Sequence, residues 1–275
     1  MTLFSRTRFG QLDLHFARRG QKTVLLRDLQ KAPLMIVRPF ELPCGTLMVF
    51  IVNPTGGVLG GDHSEIRVTV GEGATVVILT QSATRLQPSP DGAAALQHIF
   101  FEVGPGARLE YYPERTIPFA GSRFAQDIQV NLSATSEFGL TESLASGRVQ
   151  MGERLAFGSY ASRVAIYRDG QRVFLDAQRF DHTATDLKTA RAAGVWGGMD
   201  YVGSGVWLGQ QPAAFHLACA PLEADAQVVW GKGQGGALWL RGAAQQGPRL
   251  DERLASVRNQ IRHEWFGAAP LQIRR

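Results

Sequence analysis

Two pairs of glycines stand in the stretch Asn53-Pro54-Thr55-Gly56-Gly57-Val58-Leu59-Gly60-Gly61-Asp62-His63, which ends on an acid and a histidine. An apolar run at residues 47–52 precedes it, and an alternating run at residues 66–70 follows it. Both runs have the pattern of β-strands, so the glycines lie in a connection between strands. Paired glycines there indicate backbone with positive φ, or backbone that another segment approaches closely. The polar residues at the exit of this loop are therefore candidates for function.

Besides a site of another function, the loop could be a phosphate-binding loop or a purely structural turn. A phosphate-binding glycine loop is followed directly by a helix, whose N-terminus holds the phosphate. Here a strand pattern follows, and no Lys-Ser or Lys-Thr pair comes after the glycines, so the sequence excludes a nucleotide-binding loop. A purely structural turn between two strands stays open, because glycine serves that purpose equally well.

Most of the chain has the pattern of β-strands. Short runs rich in β-branched and aromatic side chains recur between Gly, Pro, Asp or Asn, and they cover residues 9–16, 75–80, 97–103, 108–112, 126–132, 162–167 and 172–176. Two similar turn signals, Gly71-Glu72-Gly73 and Gly104-Pro105-Gly106, lie 33 residues apart. This spacing predicts a repeated unit, and so a coiled or stacked β architecture in which each unit covers its neighbour.

The glycine-rich loop also has counterparts in a known family. Residues 53–62 resemble the Gly-Gly-x-x-Gly-Gly-Asp signature of the urease accessory protein family UreD, also called UreH. Further segments follow in the order of that family: Ala32-Pro33-Leu34, Arg38-Pro39-Phe40, Thr80-Gln81-Ser82-Ala83-Thr84-Arg85, Leu109-Glu110-Tyr111-Tyr112-Pro113-Glu114, Ile117-Pro118-Phe119, Glu142, Gly147-Arg148, Gly152-Glu153 and Arg168-Asp169-Gly170. The resemblance is clear from about residue 32 to residue 179 and returns around residues 257–267.

The resemblance implies a fold, a function and partners. The fold would be mainly β, with strands wound helically into layers as in a β-helix, and with a small C-terminal α-helical element. The function would be that of a nickel-insertion chaperone for urease, with no enzymatic activity. The chain would scaffold the helical accessory protein UreF and the GTPase UreG on apo-urease and help to conduct Ni²⁺ to the urease active site. No cofactor would be bound tightly, and Ni²⁺ would be held only in transit; dimerisation within the accessory complex stays open.

The candidate residues for such a transient Ni²⁺ path are four acids and a histidine: Asp62, His63, Glu65, Glu142 and Glu153. Nickel accepts imidazole, carboxylate and water, and a protein that passes an ion onward needs sparse, weak ligands. Taken singly, each of these residues is more often an ordinary surface or turn residue. Asp62 is the first choice because it closes the best-matched motif. The residues of the matched motifs with an expected structural role are Gly56, Gly57, Gly60, Gly61, Thr80, Gln81, Gly147 and Arg148.

A helix is predicted near the C-terminus, over residues 249–266, within a single domain that covers residues 1–275 and is β-rich over residues 1–245. Its apolar residues recur at helical spacing and form one stripe, made of Leu250, Leu254, Val257, Ile261 and Trp265. Gly267 and Pro270 indicate where the helix ends. Two roles are open for the stripe. Such stripes usually pack on the chain's own sheet, whereas the resemblance favours binding of a partner protein.

Composition excludes several classes of protein. Hydrophobic residues make up 44% of the chain, and the longest apolar runs are far too short to span a bilayer. The N-terminal region lacks the apolar core of a secretory signal, so we expect a cytoplasmic protein. The two cysteines, Cys44 and Cys219, are too few for a disulfide scaffold and are expected to be inert core residues. The sequence has no Cys-x-x-Cys motif and no pair of histidines at helical spacing, so it does not predict a zinc site.

The net charge of +5 is uneven, because the first forty residues carry eight Lys or Arg against two acids. These cations alternate with apolar residues, without a series of aromatic residues for base stacking, so we expect a solvated strand face or a docking face for an acidic protein rather than nucleic-acid binding. The alternative function is that of a β-helical carbohydrate-active enzyme. Repeated strands allow it, but no Gly-x-Ser-x-Gly motif is present and the sequence shows no convergent pair of catalytic acids.

Overall fold

The computed structural model describes residues 8–89, 91–181, 196–210, 215, 217 and 226–272, and two β-sheets account for most of them. The first sheet has seven strands: β1 (Phe9–Arg19), β2 (Lys22–Lys31), β6 (His63–Val70), β9 (Ala95–Val103), β12 (Arg123–Leu132), β14 (Ser159–Arg168) and β15 (Gln171–Asp181). Their order in the sheet is β15-β14-β12-β9-β6-β1-β2. Five of these, β1, β6, β9, β12 and β14, run parallel to one another.

The second sheet has eleven strands: β3 (Met35–Ile36), β4 (Phe40–Glu41), β5 (Leu47–Val52), β7 (Thr75–Thr80), β8 (Thr84–Leu86), β10 (Arg108–Tyr112), β11 (Thr116–Pro118), β13 (Glu137–Ala145), β16 (Tyr201–Leu208), β17 (Ala226–Lys232) and β18 (Leu238–Ala244). Its central path runs β17-β18-β16-β13-β10-β7-β5-β3. A single long helix, α1 (Gly247–Glu264), follows the last strand in the described part of the chain.

The central strands form a β-solenoid, because the chain alternates between the two sheets as it winds. In the first sheet Ile66 pairs with Ile99 of the next turn, and Ile99 pairs with Ile128. In the second sheet Val76 pairs with Leu109. The 33 residues from Ile66 to Ile99 equal the spacing of the two glycine turn signals, so these turns occupy equivalent corners of successive coils. The predicted fold class, wound and layered β-strands with a C-terminal helix, is confirmed.

The main hydrophobic core lies between the two sheets. Each strand alternates, so every second side chain points inward, and the inward rows are mostly aliphatic and aromatic. Phe101, for example, is almost fully buried and contacts the rings of Tyr111 and Phe138 from the facing sheet. This apolar layer fixes the register of each strand, since a slip of one residue would turn the whole row towards solvent.

Helix α1 packs on the chain's own second sheet. All five residues of the predicted stripe are buried, in a cluster with Trp207, Leu238 and Leu240 of the strands beneath. The stripe therefore forms part of the core and offers no exposed surface for a partner. Of the two roles left open by the sequence, this burial fits packing on the chain's own sheet rather than binding of a partner protein. Charged groups also hold the helix: Arg262 pairs with the buried Glu110, and Tyr112 donates a hydrogen bond of 2.9 Å to the same carboxylate.

Two expectations from composition have different outcomes. The basic N-terminal region forms β1 and the edge strand β2, and its cations at Arg18, Lys22 and Arg27 are exposed, which gives the solvated strand face that was expected. Cys44 is exposed, so the prediction of an inert core cysteine is wrong there; it lies in a tight turn with a φ of 63°. Cys219 lies outside the described residues.

Candidate functional site: a cavity between the two sheets

The glycine-rich loop between β5 and β6 folds tightly against β8 and the segment that follows it. The Val58 amide donates to the Arg85 carbonyl at 2.8 Å, and the Gln87 amide donates to the Val58 carbonyl at 2.7 Å. Gly57 has a φ of +135°, and a Cβ atom there would lie 2.4 Å from the Arg85 carbonyl oxygen. Only glycine fits at this position, because both the backbone conformation and the neighbouring strand exclude a side chain.

The other glycines of the loop have distinct roles. A Cβ atom on Gly60 would lie 2.3 Å from the Ser89 hydroxyl oxygen, so that glycine allows close packing. Gly61 has a φ of +80° but free space around it, and Gly56 has neither constraint. The structure thus gives a packing or conformational reason for three of the four predicted motif glycines.

The three polar residues at the loop exit have different surroundings. Asp62 and His63 are among the residues that line a cavity between the sheets, although His63 is exposed and strand alternation places its side chain on the same face of β6 as that of Glu65. Asp62 also holds the loop, since its Oδ2 accepts a hydrogen bond of 2.9 Å from the Leu59 amide. Glu65 lies two residues further along β6, on the outer surface of the first sheet, where it pairs with Arg67 at 2.8 Å. It is not among the residues that line the cavity, so the structure separates Glu65 from the proposed path.

The first cavity has a volume of about 140 Å³ and opens beside the glycine-rich loop. Thr80 and Gln81, two of the predicted motif residues, form part of its wall together with Glu114. The Thr80 hydroxyl accepts a hydrogen bond of 2.8 Å from the Glu114 amide, which joins the end of β7 to the end of β10. Thr80, Gln81 and Glu114 thus give this part of the cavity wall a polar character.

Glu142, on β13, lines this cavity from the second sheet. The Gln126 side-chain amide, on β12 of the first sheet, donates a hydrogen bond of 2.6 Å to its carboxylate and a longer one of 3.2 Å to the Ser162 hydroxyl. Glu142 is half-buried between the sheets. Desolvation of its carboxyl there raises its pKa to about 7, although the Gln126 hydrogen bond opposes the shift. Glu142 can therefore exchange a proton near neutral pH.

A second cavity, of about 510 Å³, lies on the other side of this wall, between the second sheet and α1. Four residues line both cavities: Pro113, Glu114, Glu142 and Ser143. The second cavity is also lined by Asp251 and Glu252 of the helix. Glu142 and Glu114 are thus the two acids at the boundary between the cavity at the glycine-rich loop and the cavity at the helix.

Glu153 lies elsewhere. It forms an ion pair with Arg148, and its carboxylate accepts a hydrogen bond of 3.3 Å from the Ala120 amide. The hydrogen bond from Arg148 lowers the pKa of the Glu153 carboxyl. Gly147 has a φ of +150°, and a Cβ atom there would lie 2.6 Å from the Glu153 carbonyl oxygen. These three predicted residues form one structural clamp, and none of them lines either cavity.

Sequence reasoning missed a row of polar residues on the first sheet. Ser64, Gln97, Gln126, Ser162 and Gln178 occupy matching positions on five adjacent strands, and we call them the polar row. The first three of them line the first cavity. A signal for them exists in the sequence. Ser64, Gln97 and Gln126 each stand two residues before an isoleucine that points into the core. In each strand, a polar residue therefore takes an inward position that the alternating pattern would otherwise give to an apolar one.

Among the described residues, no group of three or more His, Cys, Asp or Glu side chains is arranged to hold a metal ion. In the same part of the chain, no helix has the length and apolar character needed to cross a membrane.

Comparison with known proteins gives the family. A model of the family described as UreD urease accessory protein matches residues 8–275. The chain belongs to the UreD urease accessory protein family. The UreD protein of Deinococcus radiodurans is 59% identical over 275 residues, which cover 100% of this chain and 98% of the relative. That of Haloarcula marismortui is 31% identical over 266 residues, covering 93% and 84%, and that of Sorangium cellulosum is 38% identical over 172 residues, covering 62% and 54%.

The match to UreD confirms the resemblance drawn from the short motifs. It includes the glycine-rich loop, the polar row and the strands that carry Glu114 and Glu142. The two cavities and the wall between them are therefore features of a UreD family member and are built from the part of the chain that the family model matches.

Proposed function

We propose that this chain is a nickel-insertion chaperone, a scaffold and conduit that performs no chemistry of its own. In this proposal it joins UreF and UreG, the complex docks on apo-urease in the cytoplasm, and Ni²⁺ passes through the chain towards the urease active site. Hydrolysis of GTP belongs to UreG. Nickel is cargo here, held in transit and not as a resident cofactor. The accessory complex can contain two copies of the chain.

The observation that carries the proposal is the shared wall between the two cavities. Asp62 and His63 are among the residues that line the first cavity, and Glu142 lines both cavities. Carboxylate and imidazole are groups that Ni²⁺ accepts. Because these ligands are spaced along a route, each can hold the ion weakly and pass it on. A carboxyl with a pKa of about 7 at the boundary can also release the ion by taking up a proton.

The test is nickel loading of urease in cells that carry the urease genes, with this chain deleted, wild type or substituted. The substitution Glu142→Gln keeps the hydrogen bond from Gln126 but removes the charge, and Asp62→Asn keeps the acceptor for the Leu59 amide. We expect deletion to give apo-urease, and both substitutions to lower the nickel content of urease several-fold while the accessory complex still assembles. Glu65→Gln is the matched control, because that acid lies outside the cavity, and it should load normally.

Each outcome addresses one part of the proposal. If urease is fully loaded without this chain, the chaperone function is wrong. If the deletion abolishes loading but Glu142→Gln and Asp62→Asn load like the wild type, the chain acts as a scaffold and the nickel route lies elsewhere. Nickel per urease active site, measured by elemental analysis, distinguishes these cases because it does not depend on the rate of urea hydrolysis.

A further inference from the structure

The polar row of the first sheet has a counterpart on the second sheet, and the two together, which we call the polar layer, lead to an ion pair. On the second sheet, Glu142, Ser204 and Arg241 are in register on the adjacent strands β13, β16 and β18. On the first sheet, the same direction leads from Gln126 across Ser162 to β15. Neighbouring strands lie about 4.8 Å apart, so the far end is roughly 10 Å from Glu142. The interior polar layer thus extends beyond the two cavities at which Glu142 stands.

The far end of this layer is closed by Arg241 and Asp176. Arg241 of β18 forms an ion pair with Asp176 of β15, and this contact links the two sheets. The Gln178 side chain donates a weaker hydrogen bond of 3.5 Å to the same carboxylate. A surface notch of about 250 Å³ lies there, lined by both members of the pair and by Trp239. The ion pair therefore stands between the interior layer and a second opening to solvent.

The Asp176 carboxylate could act as a ligand for a cation if it were not paired with the Arg241 guanidinium. A carboxylate is a preferred oxygen ligand, whereas a guanidinium carries a positive charge and offers no lone pair to a metal ion. Both charges are felt at Glu142: Asp176 raises the pKa of its carboxyl, and Arg241 lowers it. A cation at Glu142 thus lies within electrostatic reach of Asp176, and the ion pair cancels that attraction.

We propose that Arg241 is a specificity-determining residue of the conduit, which masks Asp176 and so keeps a divalent cation at Glu142 from being diverted along the polar layer to the surface notch. The inference rests on the proposed function, since it assumes that the ion reaches Glu142. It assigns Arg241 a role that acts through Asp176, without contact between Arg241 and the ion.

The test compares Arg241→Met, Arg241→Lys and the double variant Arg241→Met with Asp176→Asn, each in the full chain prepared with its accessory partners. The matched control is Arg163→Met, because Arg163 also pairs with an aspartate, Asp127, at 2.8 Å and has a similar exposure of 42% against 41% for Arg241. Two quantities are measured: Ni²⁺ retained after incubation with Ni²⁺ alone and gel filtration, and nickel delivered to apo-urease.

We expect Arg241→Met to retain several-fold more Ni²⁺ than the wild type and to deliver less of it to urease. Addition of Asp176→Asn should restore both values, and Arg241→Lys and Arg163→Met should behave like the wild type. Unchanged retention and delivery in Arg241→Met would overturn the inference. A double variant as defective as Arg241→Met would also overturn it, because the loss would then come from structure and not from the freed carboxylate. Apo-urease that loads fully in a reaction without this chain would overturn the proposed function, whereas the retention values test the masking of Asp176 by themselves.

Discussion

At the scale of single residues, the raised pKa of Glu142 predicts a contribution to the pH dependence of stability. Its pKa is raised by burial to about 7 from an ordinary value of 4.5, so the folded chain holds this proton more tightly than the unfolded chain does. The carboxyl is neutral in the folded state at pH 5 and must be charged at pH 8. Stability is therefore lost as the pH rises from about 4.5 to about 7, by up to roughly 3 kcal/mol for this group.

Glu142→Gln should remove this penalty. The glutamine stays neutral and keeps the acceptor for Gln126, so we expect the free energy of unfolding to match the wild type at pH 5 and to exceed it at pH 8 by on the order of 2 to 3 kcal/mol. Urea unfolding at the two pH values measures the difference. A variant whose advantage is the same at pH 5 and pH 8 would show that the Glu142 carboxyl is not the titrating group.

At the scale of the element, the glycine-rich loop offers a matched pair of substitutions. Gly57→Ala places a methyl group 2.4 Å from the Arg85 carbonyl oxygen at a φ of +135°, whereas Gly56→Ala meets no atom within 4 Å. We expect Gly57→Ala to cost about 2 to 4 kcal/mol, since strain at a special φ and a steric clash act together. Gly56→Ala should lie within about 0.5 kcal/mol of the wild type. Thermal unfolding of both variants checks the contrast, and equal effects would contradict the assigned role of Gly57.

How far the sequence predicts the structure also differs by element. The bounds of β5, β7 and β10 agree with the predicted strands, because each apolar run ends at a Gly, Pro or polar residue. Helical spacing finds the stripe of α1, but periodicity alone does not say whether the chain's own sheet covers it. Alternation explains why Glu65 faces out, since its neighbour Ile66 faces the core. The clamp of Arg148 and Glu153 depends on loop geometry, which local pattern does not predict.

At the scale of the whole molecule, the two sheets enclose a mostly apolar core that a polar layer crosses. Polar pairs inside a protein add little stability compared with apolar side chains of similar volume, because desolvation offsets much of the gain from pairing. Gln126 and Glu142 form a part-buried pair of this kind, one residue from each sheet. Stability of the fold alone therefore does not account for the polar layer, and the alternative explanation is the proposed passage of an ion.

The double substitution of Gln126→Leu with Glu142→Leu separates these two explanations. Leucine fills a similar volume, so we expect the double variant to be as stable as the wild type or up to about 3 kcal/mol more stable at pH 8. Gln126→Leu alone should cost about 1 to 3 kcal/mol, because it leaves the half-buried Glu142 carboxylate without its donor. Urea unfolding gives these values, and the nickel content of urease gives the function. We expect the stable double variant to load little nickel; if it loads urease like the wild type, then the Gln126–Glu142 pair is not needed for transport, and the conduit must follow other residues.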